Sequence, residues 1–315
     1  MWFKTIFRPK RQGSGAGGRG PDSAPLFDEA FLRRMERLSL QAQRTLRGNP
    51  AGGEHLSRHQ IPASIMSDHR PYSSGDDVRY VDWNAYARHS NVLLRLGEAE
   101  QDVTVHLLLD ASASMTLGEP PRLRLAQQLV GALGYLALAH SDRLHVVPFG
   151  ATALPAFGPA QGKGRLIELL RFVDGITPQA VTDPGAAIAR HARNHPHGGL
   201  IVICSDLLAS GGLAAGLRAL PAPRWQTLVL HLLDRRDLQP TLQGPLELED
   251  SETGQRLEIT IDDEILNAYR RRLRQWREGL ARECALRGAT YAPVMSHWSL
   301  EQQVVPYLRA RRLLH

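Results

Sequence analysis

Between Val103 and Leu233 short apolar runs alternate with amphipathic stretches. Val103–Leu109, Arg143–Phe149, Gly199–Cys204 and Thr227–Leu233 are apolar over most of their length, which predicts strands buried on both faces. Pro121–His140, Arg165–Val173, Pro184–Asn194 and Leu213–Leu220 carry their apolar residues at helical spacing. Strand and helix in alternation predict a doubly wound α/β fold, a mostly parallel sheet with helices on both faces. Further on, Glu264–Arg287 is a helix with the stripe Ile265, Tyr269, Leu273, Trp276, Leu280 and Cys284. A strand at Ala289–Met295 and a helix from Ser299 follow, with Gln302 completing a capping box and Pro306 expected to end or kink that helix.

Upstream the pattern is weaker. Leu26 to about Leu46 reads as a helix with Phe27, Phe31, Met35, Leu38 and Leu40 on its apolar side. Gly52–Asp77 is polar and turn-rich, and two short strands, Val78–Trp83 and Val92–Leu96, are joined through Asn84–Arg88. The first residues are basic and glycine-rich, with no acid before Asp22, so they lack the means to bury a core and disorder is expected. The chain therefore divides into an arm (1–24), an N-terminal helix and hairpin extension (25–99) and the α/β domain with C-terminal helices (100–315).

Composition narrows the function. The chain has 315 residues, 43% of them hydrophobic, and no apolar run long enough for a bilayer span. Two cysteines, Cys204 and Cys284, make no disulfide framework; both are expected to be buried thiols in a cytoplasmic protein, with peripheral contact at the inner membrane face as the variant. A net charge of +6 comes almost wholly from arginine spread along the chain, and no zinc-finger, zipper or RNA-binding pattern accompanies it. A nucleic-acid partner is not expected. The tip Met1–Phe7 offers only a weak anchor to an anionic membrane.

The candidate chemistry starts at Asp110-Ala-Ser112-Ala-Ser114, directly after the first central strand. One carboxylate and two hydroxyls at alternate positions of a turn suit a hard cation that takes oxygen ligands. Two later segments match it: Thr182-Asp183-Pro184 before a helix, and Ser205-Asp206 after a strand. In an open parallel sheet ligands bind beyond the carboxyl ends of the strands, where strand order reverses. That places Asp110, Ser112, Ser114, Thr182 and Asp206 on one rim.

With these residues in place, the chain resembles the metal-ion-dependent adhesion site of von Willebrand factor A domains, a Rossmann-like fold. It resembles still more closely the bacterial family known as domain of unknown function 58. The signature segments are Arg70-Pro-Tyr-Ser-Ser-Gly-Asp-Asp-Val-Arg-Tyr-Val-Asp-Trp-Asn84 with Ala87-Arg88, then Asp250-Ser-Glu-Thr-Gly254, and the ending Pro306–Arg312. The resemblance implies Mg²⁺ or Mn²⁺ held directly by Ser112, Ser114 and Thr182, with Asp110 and Asp206 acting through waters. Neutral hydroxyls leave the ion's charge largely uncompensated, so its open position favours a carboxylate from a partner protein. The resemblance further implies an adaptor of a MoxR-type AAA+ ATPase. One departure is Gln179-Ala-Val181, where such domains have glycines before the threonine.

Alternatives are a metal-dependent phosphoester hydrolase and a membrane-peripheral scaffold. Against the first, Ser112 stands where phosphatases using an Asp nucleophile place a second Asp, and Gly162-Lys-Gly-Arg165 lacks the phosphate loop's Gly-Lys-Ser/Thr. His191, His195 and His197 are expected to be solvated histidines at a helix end rather than zinc ligands. Asp76, Asp77, Arg79, Asp82, Trp83 and Arg88 are expected to form an ion-pair network that fixes a strand turn, with a partner-docking epitope as the alternative.

Overall fold

The computed structural model describes residues 5–8, 26–29, 31–36, 60–62, 68–73, 78, 81–89, 91–98, 103–150, 154–179, 182–208, 212–252 and 254–311. Contacts divide the chain into two units: Met1–Arg44 together with Val103–His315, and Thr45–Asp102.

In the larger unit β1 (Thr5–Arg8) pairs antiparallel with a later hairpin strand, although composition assigned these residues to a disordered arm. The rest of that arm lies outside the described residues. Residues 31–36 are helical, and Phe31 and Met35 pack with Ala132, Tyr135 and Leu170, as the apolar spacing requires.

The smaller unit holds β2 (Gln60–Pro62), β3 (Asp68–Pro71), α1 (Trp83–His89) and β4 (Leu93–Glu98). β4 is the central strand, with β2 and β3 antiparallel on its two sides. Three expectations fail here: within the expected strand Val78–Trp83, Val81 makes only an isolated bridge to Leu94 and Trp83 already opens α1. The stretch treated as turn-rich supplies both outer strands, and Asn84–Arg88 is helix rather than a strand connection. Asp82 accounts for the helix: its Oδ1 accepts the backbone N–H groups of Asn84 and Ala85 at 3.0 Å each, a capping arrangement. Trp83 and Tyr86 sit edge-to-face and are solvent-exposed. Asp76, Asp77 and Arg79 lie outside the described residues.

The rest of the larger unit runs β5 (Thr104–Asp110), α2 (Arg122–Ala139), β6 (Arg143–Phe149), β7 (Phe157–Ala160), α3 (Leu166–Asp174), α4 (Pro184–Asn194) and β8 (Gly199–Ser205). It continues with α5 (Leu213–Arg218), β9 (Trp225–Leu233), α6 (Arg235–Leu238), β10 (Gly244–Asp250), β11 (Arg256–Ile261), α7 (Asp263–Leu286), β12 (Thr290–Met295) and α8 (Val305–Ala310). Six strands form one sheet in the order β12-β9-β8-β5-β6-β7, parallel except for β7 at one edge. The α/β fold expected from the alternation is the one observed. β7 and the β10–β11 hairpin were not legible, because short half-exposed strands lack a distinct period.

Both sheet faces are covered. Val105, Leu107 and Leu109 of β5 pack with α2 and α3, whereas Leu108 packs with α4, α5 and β8 on the other side. Cys204 and Cys284 are buried free thiols, and burial pushes Cys204 up to about 12, where it is inert. At the C-terminus Ser299 caps the helix start, but the return bond to its N–H comes from Gln303 at 3.0 Å, not from Gln302. Residues Leu300–Val304 form a π turn, and Pro306 lies in the first turn of α8 instead of ending a helix. No helix among the described residues is long and apolar enough to cross a membrane.

Candidate functional site

β5 connects first to β6 on one side, and the chain later returns to β8 on the other. The sheet thus has its switch point between β5 and β8, and the crevice opens at their carboxyl ends. Asp110 is the last residue of β5, and Ser205-Asp206 leaves β8.

Asp110 organises the rim. Its Oδ1 accepts the Ser112 N–H at 2.9 Å, bending the chain into the turn that brings Ser112 and Ser114 together. Its Oδ2 accepts the Ser205 hydroxyl at 2.5 Å, and Ser205 Oγ in turn accepts the Leu207 N–H at 2.9 Å. Both carboxylate oxygens of Asp110 are therefore engaged. The two serine hydroxyls lie 2.9 Å apart and are buried.

Asp206 is aimed by the next residue. Leu207 has φ of 56°, a left-handed conformation rare for a non-glycine residue, so the chain turns sharply as it leaves the strand. Asp206 Oδ1 accepts the Leu208 N–H at 3.1 Å, while Oδ2 is buried with no hydrogen-bond partner. Thr182 Oγ1 is likewise buried and unpartnered. The loop before it is tied in by Gln179, whose N–H donates to Ala111 O at 2.6 Å and which bridges to Ser112. Gln179 thus seats the loop on the β5 exit although it is not a glycine; Ala180 and Val181 lie outside the described residues. Asp183 caps α4 by accepting the Ala186 N–H at 3.0 Å.

Burial raises the Asp110 carboxyl to about 7, helped by the nearby Asp206 and opposed by Ser205 and Ser112. Asp206 is also raised by burial, against the pull of Arg122 and a Ser114 hydrogen bond. Two acids displaced in this way form a site short of positive charge.

The sequence reading missed Arg122. It is 2% exposed, donates to Ser114 O at 3.0 Å, grips both Asp237 oxygens at 2.6 Å and stands 3.6 Å from Asp206 Oδ2. Burial disfavours its charge, but Asp237 and Asp206 outweigh that, and it stays cationic. A usable signal existed. A cation in the first turn of a helix opposes the helix dipole and needs acidic partners.

The donor set is five buried groups of hydroxyl and carboxylate character, with Thr182 Oγ1 lacking a hydrogen bond and Asp206 Oδ2 facing only Arg122. Such a set fits a hard divalent cation: leaving a buried polar atom unpaired is costly, and an oxygen-seeking ion removes that cost.

The histidines differ from expectation. His191 is buried, its Nε2 lies 2.9 Å from His106 Nδ1, and His195 stacks on it; only His197 is an exposed histidine of the expected kind. The helix end packs on β5 instead of facing solvent.

The family described as "Protein of unknown function DUF58" matches residues 68–279. Uncharacterized proteins of Mycobacterium tuberculosis and Mycobacterium bovis are each 27% identical over 291 residues, covering 90% of this chain and 91% of theirs. A conserved hypothetical protein, BatB, from Bacteroides thetaiotaomicron superposes with a TM-score of 0.41 at 18% identity, covering 67% of this chain and 98% of that one. An aerotolerance-related membrane protein from Bacteroides fragilis gives 0.42 at 19% identity, with the same coverage.

Proposed function

The chain belongs to the DUF58 family, and from that premise we propose that its rim is a divalent-cation adhesion site that captures a carboxylate of a partner protein. One observation carries the reading. Thr182 Oγ1 is buried without a hydrogen-bond partner, Asp206 Oδ2 is buried with only the Arg122 guanidinium at 3.6 Å, and the Ser112 and Ser114 hydroxyls meet at 2.9 Å.

Ser112, Ser114 and Thr182 would hold Mg²⁺ or Mn²⁺ directly, in the manner of a von Willebrand A-like domain. Asp110, whose oxygens already bind Ser112 and Ser205, would act through waters together with Asp206. When bound, the ion supplies a Lewis-acidic position for an anionic oxygen. The chain's own groups set the rest. Arg122 offsets the Asp206 charge, so the rim without an ion is not strongly anionic. The Leu207 turn and the Asp110–Ser205 bond fix the geometry in advance.

The protein then serves as an interaction module, an adaptor whose partner by family resemblance is a MoxR-type AAA+ ATPase. Capture from native lysate in Mg²⁺ and in EDTA, with Ser112→Ala beside the wild type, tests the reading. A partner retained only with the metal and with Ser112 intact supports it. Equal retention in EDTA or by Ser112→Ala refutes it.

A further inference from the structure

A second cluster of ligand-type side chains lies on the same sheet, away from the rim. His106 sits on β5, four residues before Asp110 and so roughly 13 Å along the strand from it. His145 is its register partner on β6, and their rings stack at 5.0 Å. His191 on α4 and His195, the residue that follows its end, close over them. The ring centroids are 4.8 Å apart for His106–His191, 4.9 Å for His106–His195 and 4.2 Å for His191–His195. Three elements distant in sequence therefore deliver four imidazoles to one point.

We propose that His106, His191 and His195 form a binding site for a divalent transition cation of the zinc type, with His145 as its wall. One ring nitrogen from each of the three lies within 4.8 Å of the others. A tetrahedral zinc with bonds of about 2.0–2.1 Å needs nitrogens about 3.3 Å apart, so modest side-chain rotation completes the set. The His106–His191 nitrogen pair, at 2.9 Å, has only to open slightly.

The hydrogen bonds choose the nitrogens. His195 Nδ1 donates to the His191 carbonyl oxygen at 3.0 Å, which makes Nε2 the nitrogen available to an ion. A ligand histidine that donates its other N–H to a backbone carbonyl is the usual outer-shell arrangement at metal centres. His106 turns Nδ1 toward His191, while its Nε2 faces the Gly198 backbone.

The protonation state also suits a metal. Burial, then the neighbouring histidines, lowers His106 and His191 to about 3 and His145 to about 4. These three rings are neutral at pH 7, the form that binds metal. A cavity of about 80 Å³ lies alongside, lined by Leu108, Val147, Phe149 and His191 and edged by the exposed Arg190 and Asn194.

Imidazole nitrogen favours Zn²⁺, Cu²⁺ or Ni²⁺ over Mg²⁺, whereas the hydroxyl rim has the opposite preference. The two sites are therefore chemically separable, and this inference stands whether or not the rim binds an ion. An ion here would pin the histidine end of α4 to β5, the same helix whose other end follows Thr182.

The test uses the full-length chain, stripped with a chelator and titrated with Co²⁺ and then Zn²⁺. About one equivalent of Co²⁺ should develop the intense visible bands of a four-coordinate site of three imidazole nitrogens and a water, be displaced by Zn²⁺ and resist excess Mg²⁺. His195→Ala, at the half-buried end of the helix, should weaken Zn²⁺ binding beyond the ~10–100-fold typical of losing an outer-shell partner. His197→Ala and Ser112→Ala should bind as the wild type does. If His195→Ala does not fold, His191→Gln, which keeps a hydrogen-bonding side chain at the buried position, takes its place. Folded wild-type protein that develops no such bands overturns the proposal, as does stoichiometric Zn²⁺ uptake that survives loss of His195 or His191.

Discussion

A buried arginine among acids sets the charge at the β5–β8 crevice. Arg122 is held by Asp237 and Ser114 and faces Asp206, so removing it strands two carboxylates. Truncating one partner of a buried ion pair costs about 3–5 kcal/mol, and we expect that loss for Arg122→Met in urea unfolding. A change below about 1 kcal/mol would show that the acids had simply taken up protons. The histidines titrate in the other direction from Asp110. His106 and His191 are lowered from 6.5 to about 3. The unfolded chain therefore binds more protons between those values, and their contribution to stability is present above pH 6.5 and lost as pH falls. Asp110, raised from 3.8 to about 7, contributes stability that is lost as pH rises through that window. His106 faces His145, His191 and His195, and Arg143 adds further positive charge beside His145. In metal-free protein the stability difference between wild type and His106→Leu should shift against the wild type from pH 7 to pH 5. A difference that stays flat over that range would contradict the neutral, buried cluster.

α4 is the element on which both candidate sites depend. Asp183 and Pro184 start it and Thr182 precedes it, while His191 lies in its last turn and His195 follows its end. It packs on α5 at backbone distance: a Cβ on Gly185 would stand 2.1 Å from the Gly212 carbonyl oxygen, which cannot rotate away. Gly185→Ala should therefore cost roughly 1–3 kcal/mol as overpacking and lower Tm, with Gly164→Ala, which meets nothing within 4 Å, as the mild control. Equal Tm values for the two variants would mean that the helices separate freely. Asp183→Ala removes the cap on Ala186 N–H and should cost about 1 kcal/mol in the same assay.

The whole sheet is protected at its centre and open at its margins. β8 and β9 are buried along most of their length, and β5 is flanked by β6 and β8. β7 is an edge strand, and the β10–β11 hairpin is largely half-exposed. Hydrogen exchange followed by mass spectrometry should find the slowest amides in β5, β8 and β9, and markedly faster exchange in β7 and β11. Uniform protection across these strands would contradict a core centred on the switch point. The switch point gathers the oxygen-bearing turns for the same topological reason. Strand order reverses there, the covering helices diverge, and the Asp110 and Asp206 turns share one crevice.

The chain's own pattern determined much of this. Continuous apolar runs mark strands buried on both faces, and β6 and α4 begin and end where the pattern places them, at Arg143–Phe149 and Pro184–Asn194. The oxygen-bearing turns were legible as well, because each follows a strand end or precedes a helix start, and local spacing encodes both. What needed the tertiary structure were properties of pairs distant in sequence. Arg122 meets Asp237, 115 residues away, and His106 meets His191, 85 residues away. A helix period shows which residues share a face but not what that face packs against. His191 and His195 therefore read as a wet helix end, and only the packing of α4 on β5 made them a buried cluster.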